Sequence, residues 1–129
     1  MEQVKVLDWL LEIDKEMTIS VYNQLPTTAE DCPCSYCKNY VAASTSFPAE
    51  FLSLLDDLGV DPSKASEVYE VCENENGTHL YGGFTAYINM HWTRTDEYCL
   101  LLINSAAIAI NQRGLCFLLF FPLWTYRTQ

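Results

Sequence analysis

The pattern of apolar residues changes at Gly59, and that change limits the fold more than any other feature of the chain. Before it, and after a short N-terminal segment, apolar side chains recur at helical spacing. The clearest case is Ala49–Leu58, where Phe51, Leu52, Leu54, Leu55 and Leu58 form one stripe and Gly59 stands where a left-handed C-cap belongs. After it, the apolar runs are short, strand-sized and divided by turn residues. Helices followed by strands predict an α+β fold: two or three N-terminal helices packed on a mostly antiparallel β-sheet built largely from the C-terminal half.

Each segment refines this picture. Residues 4–13 read as a small hairpin in preference to an amphipathic helix, because β-branched and aromatic residues are interrupted by Asp8. Asp14 is a candidate N-cap for a helix to about Gln24, with Met17, Ile19, Val21 and Tyr22 on its apolar side. Residues 26–31 read as a polar loop. A short helix is expected from Tyr36, carrying Cys37, Tyr40, Val41 and Ser44 on one face, and Phe47-Pro48 should interrupt it. Asp61-Pro62 opens a turn. Glu67–Glu73 reads as a strand, and Asn76-Gly77 is a strong hairpin signal. A two-residue turn there would set Cys72 opposite Tyr81 and Tyr69 opposite Phe84, with Gly82-Gly83 marking a bulge or bend. Further strands are expected over 98–103, 106–110 and 115–121, the last ended by Pro122 or placed at an edge by it.

A chain of 129 residues with half of them hydrophobic suits a single domain, residues 1–129, with a real core. The formal charge is -10, and residues 1–75 carry 15 acidic against 4 basic side chains, a net -11. Such a surface repels phosphate backbones and anionic lipid, so neither nucleic acid nor a membrane is an expected partner. It favours basic partners or cations. The start of the chain has no basic segment followed by an apolar stretch, which predicts a cytoplasmic protein with reduced cysteines. The apolar runs are also well short of the roughly 18–20 residues that a membrane-spanning helix needs.

Three of the six cysteines, Cys32, Cys34 and Cys37, fall within six positions. Packing of small buried thiols is the plainest reading, and it extends to Cys72, Cys99 and Cys116 inside expected strands. A metal site is the second: thiolates at i, i+2 and i+5 can converge on Zn²⁺, with Cys72 or His79 as the fourth ligand. A redox pair is the third. Cys34 and Cys37 flank a helix start, where N–H groups activate a thiol, but the βαβ context of such motifs is missing. His79, beside the hairpin turn, otherwise reads as a solvated residue. No nucleophile elbow or phosphate loop is present, so the chain leans away from an enzyme.

The run Cys34, Tyr36, Cys37, Lys38, Asn39 and Tyr40, then Phe47-Pro48, Leu58-Gly59-Val60-Asp61-Pro62 and Tyr81-Gly82-Gly83-Phe84, resembles a group of short acidic uncharacterised proteins from Gram-positive bacteria. The likeness spans roughly Trp9 to Phe84. It implies a bacterial intracellular protein and carries no activity with it. The leading expectation is therefore a small non-enzymatic binding or interaction protein with no cofactor, meeting an unknown protein partner. Self-association through the C-terminal strands, residues 115–124 above all, is expected with it. The alternatives are a Zn²⁺ or thiol-redox domain at Cys32, Cys34 and Cys37, and an acidic inhibitor or decoy of a basic protein surface.

Overall fold

A computed structural model describes residues 1–6, 9–73, 75, 78–86, 91–92, 99–103, 106–111 and 114–122, with residues 9, 78 and those from 91 onward described as backbone. It shows helices with antiparallel sheets, an α+β fold. Strands β1 (Glu2–Val6) and β2 (Trp9–Ile13) form the expected N-terminal hairpin. The Asp14 carboxylate accepts the Met17 N–H at 2.9 Å and starts α1 (Lys15–Gln24). Thr18 and Tyr22, four apart, form its buried face, while Met17 and Ile19 are exposed, contrary to expectation. The Thr18 hydroxyl can be buried because it donates to Asp14 O at 2.8 Å.

The loop expected over 26–31 contains a helical turn, α2 (Thr28–Asp31). Thr27 and Glu30 close a capping box there, each side chain accepting from the other's backbone N–H. Next come α3 (Ser35–Ala43), a 3₁₀ turn (Ser44–Ser46) and α4 (Ala49–Leu58). Phe51, Leu54, Leu55 and Leu58 are buried as the stripe predicts. Gly59 ends α4 with φ 75°, and a Cβ there would lie 2.9 Å from Lys15 O, so both backbone and space call for glycine. A second 3₁₀ turn (Pro62–Lys64) leads into β3 (Glu67–Glu73), β4 (Thr78–Ala86) and β5 (His91–Trp92). The last strands are β6 (Cys99–Ile103), β7 (Ala106–Asn111) and β8 (Gly114–Pro122), close to their expected positions.

The expected single sheet is corrected to two. One has the order β1-β2-β5 and the other β3-β4-β8-β7-β6. β8 lies between β4 and β7, so both of its hydrogen-bonding edges are used within the chain. Among the described strands of the five-stranded sheet, β3 and β6 are the outer ones. Val4, Val6, Leu11 and Ile13 from the hairpin meet Tyr40, Phe47, Phe51, Leu55, Leu58 and Tyr81 in one apolar cluster. Phe47 stacks on Phe51 at 5.7 Å between ring centroids, and Tyr40 tilts against Phe47 at the same distance.

The expected β3–β4 register is also corrected. Glu70 lies opposite Tyr81, then Cys72 opposite Leu80, so Val71 is the extra residue of a bulge. The bulge thus sits on β3; opposite it, β4 runs unbroken through Gly82-Gly83 along β8. Gly82 is needed for another reason. Tyr69 lies directly across from it, and a Cβ there would come within 2.5 Å of the Tyr69 ring.

Candidate functional site

The turn between α2 and α3 is set by its sequence. Pro33 has no N–H and disfavours helix at the residue before it, so α2 cannot run on into α3. Cys32 and Cys34 are both extended, with φ,ψ of -130°,99° and -71°,161°. Cys32 closes α2 through its N–H to Thr28 O at 2.9 Å, and Cys34 is the N-cap of α3. The reversal folds three sulfurs together: the Sγ atoms of Cys32, Cys34 and Cys37 all lie within 4.8 Å of one another. Cys32 and Cys34 Sγ are 3.5 Å apart. Cys32 and Cys34 are exposed and Cys37 is buried, so the cluster has a protein side and a solvent side.

The thiols are electrostatically unequal. Cys34 Sγ accepts the Cys37 N–H at 3.4 Å, in the place usually held by a serine or aspartate oxygen. That hydrogen bond is the main reason its thiol is held below the ordinary value, with smaller help from the Cys37 and Cys32 thiols. Burial pushes Cys37 the other way, up to about 12, and the adjacent Cys34 and Cys32 add to the effect. Between Cys34 and Cys37, the sulfur that ionises first is therefore Cys34, on the solvent side.

The second half of α3 fixes the first. Asn39 Nδ2 donates to Tyr81 Oη at 2.9 Å, and Tyr40 Oη donates to Pro62 O at 2.7 Å. Beneath α2, Thr28 Oγ1 donates to Ala65 O at 3.1 Å. Burial raises the Tyr81 phenol, and burial above all raises Tyr40.

His79 and Cys72 sit elsewhere than the expected register puts them. The bulge turns Glu70 and Glu73, three apart, toward the face of β4 that carries Tyr81 and His79, and sends Cys72 to the other side with Leu80. His79 is 4% exposed, not a solvated turn residue. Its Nδ1 is hydrogen-bonded to the Glu70 carboxylate, and its Nε2 lies 3.8 Å from Glu73 Oε1. Both ring nitrogens thus face carboxylates. Cys72 is exposed, which removes the packing reading for it, as exposure does for Cys32 and Cys34. Neither Cys72 nor His79 joins the thiol group, and among the described residues no fourth His, Cys, Asp or Glu does. The side chains of Cys99 and Cys116 lie outside the described residues.

Tyr36, half exposed on the first turn of α3, links the two clusters. The Glu70 charge and a hydrogen bond to the Glu70 carboxylate raise its phenol. Its role was hidden in the sequence because the bulge that aims Glu70 has no local signature. A separate hollow of about 480 Å³ between β1 and α4, lined by Lys5, Val6, Ala49, Glu50, Ser53, Leu54 and Asp57, shares no residue with the thiols.

Three thiolates around Zn²⁺, with Zn–S of about 2.3 Å in tetrahedral geometry, stand about 3.8 Å from one another. The observed cluster, with one pair at 3.5 Å and every pair within 4.8 Å, brackets that spacing. No described helix is long and apolar enough to cross a membrane. The chain matches no protein-family model, no curated protein and no solved structure, so the chemistry of the site is read from its own geometry.

Proposed function

We propose that this protein is a small metal-binding module whose Cys32, Cys34 and Cys37 hold one Zn²⁺ ion. The carrying observation is the convergence of three sulfurs on a turn where two of them face solvent and do no packing. Soft thiolates favour Zn²⁺ among abundant divalent ions, and the acidic surface attracts cations toward the turn. Three protein ligands with an open fourth position are the pattern of reactive, not purely structural, zinc sites. Protein purified without added metal should carry about one Zn per chain, and Cys32→Ser, Cys34→Ser and Cys37→Ser should each lower that sharply. Metal-free protein that also fails to take up Zn²⁺ by titration would end this reading.

The inequality of Cys34 and Cys37 favours a second reading, dithiol exchange with Cys34 as the attacking thiol and Cys37 as its resolving partner. It requires a Cys34–Cys37 disulfide that forms and reduces reversibly in glutathione buffers. A protein that stays fully reduced across those buffers excludes it.

A further inference from the structure

We infer that the fourth coordination position of the thiol tripod is filled from outside the chain, by the thiolate of a small or peptide thiol that carries a positive charge. The inference rests on the metal reading above and adds a ligand class to it. Three observations carry it.

First, among the described residues the tripod is incomplete on one side only. Cys37 lies buried at the base of α3, whereas Cys32 and Cys34 are exposed, so an ion held by all three keeps its open position toward solvent. Second, among the described residues the neighbouring donors are committed elsewhere or out of reach. No described His, Cys, Asp or Glu joins the three sulfurs. Both ring nitrogens of His79 face Glu70 and Glu73. Third, the approach is acidic. Glu30 and Asp31 immediately precede Cys32 and are exposed. Lys38 is the one basic residue of α3.

The chemistry follows from these groups. Zn²⁺ held by three thiolates bears a net charge of -1, which makes it a weak acid toward water and leaves a soft centre suited to a fourth sulfur. An incoming thiol binds as its thiolate and releases one proton to solvent, with no change of oxidation state. The complex then carries -2 beside Glu30 and Asp31, and a cationic group on the ligand offsets that charge. An amino thiol, or a cysteine beside lysine or arginine in a peptide, fits this description.

The experiment uses the full chain loaded with Co²⁺ or Zn²⁺ and three probes: cysteamine, 3-mercaptopropionate and a short peptide with cysteine beside arginine. X-ray absorption on the Zn²⁺ form should show three sulfur ligands before addition and four after, with saturable growth of the Co²⁺ charge-transfer band. Cysteamine should bind about fivefold more tightly than 3-mercaptopropionate, and added salt should shrink that ratio. The peptide arm distinguishes a protein-borne thiol from a free one by whether it saturates at lower concentration than cysteamine; saturation by either supports the inference. Four sulfurs already present without added thiol, or a loaded protein whose spectrum no thiol changes, would overturn it while leaving the metal reading standing. A tighter 3-mercaptopropionate complex would overturn the assignment of charge. Failure to load either metal would end both readings.

Discussion

Along the last turns of α3, Asn39, Tyr40 and Ala43 are buried, and the two polar side chains hydrogen-bond to Tyr81 and Pro62. One turn earlier, Cys34 and Tyr36 stand in solvent, and the N-cap is a sulfur in place of the usual oxygen. The same nine-residue helix thus has an anchored half and an open half. The difference teaches how a short helix can hold reactive groups in place. Packing and hydrogen bonds at one end, with the buried Cys37, fix the backbone that presents sulfurs at the other, so the exposed Cys32 and Cys34 need no packing of their own.

The largest effect should come from breaking the anchored half. Tyr40→Ala removes a fully buried ring that touches Phe47 and Tyr81 and should cost about 3–5 kcal/mol in chemical denaturation. Cys32→Ser, on the exposed turn that precedes the open half, should cost less than about 0.5 kcal/mol. Equal losses for the two would break the comparison. Asn39→Leu deletes the amide that donates to Tyr81 and should cost about 1–3 kcal/mol. It should also weaken metal retention, because it loosens the helix that carries Cys37.

A smaller effect separates capping from chemistry at Cys34. Cys34→Ser keeps a side chain able to accept the Cys37 N–H, so stability should hold while metal binding falls. Cys34→Ala should lose metal binding together with about 0.5–2 kcal/mol. If serine destabilises as much as alanine, the sulfur is doing something other than capping.

Two pH profiles sharpen the contrast further. Burial raises the folded-state Tyr22 phenol to about 12, against an unfolded value of about 10. A raised folded pKa means that the protonated form is favoured by folding. Its stabilisation is complete below pH 10 and is lost as pH rises toward 12, so the melting temperature should fall across that window. Tyr22→Phe should flatten part of the fall. In metal-free protein, Cys34 should alkylate at a lower pH than an ordinary thiol, while Cys37, pushed up to about 12, should stay silent near neutrality. Matching profiles for the two would contradict the assigned inequality.

What the sequence revealed and what it hid divide along the same physical line. Local signals were legible. The stripe of α4, the Gly59 cap, the Asp14 cap and the strand-sized runs after residue 66 all appear close to where residue spacing puts them. The thiol cluster was legible too, because its members are near in sequence and Pro33 breaks the helix between them. Long-range pairing was not. The Val71 bulge shifts the β3–β4 register, so Cys72 leaves the face of His79, and Glu70 and Glu73 occupy it instead. The capping box of α2 was present in Thr27 and Glu30 but is concealed in a stretch that reads as a polar loop. The burial of His79 depends on two carboxylates that only the bulge brings to it.

The central claim is that three sulfurs act together on one ion, and Cys72 supplies an internal control because it too is exposed but stands on the far face of β3–β4. Site-resolved alkylation of the whole protein, followed by mass spectrometry with and without Zn²⁺, tests it most directly. Zn²⁺ should protect Cys32 and Cys34 together, at about one equivalent, and leave Cys72 labelling unchanged. Labelling of Cys32 and Cys34 that proceeds at the same rate with and without Zn²⁺ would contradict it.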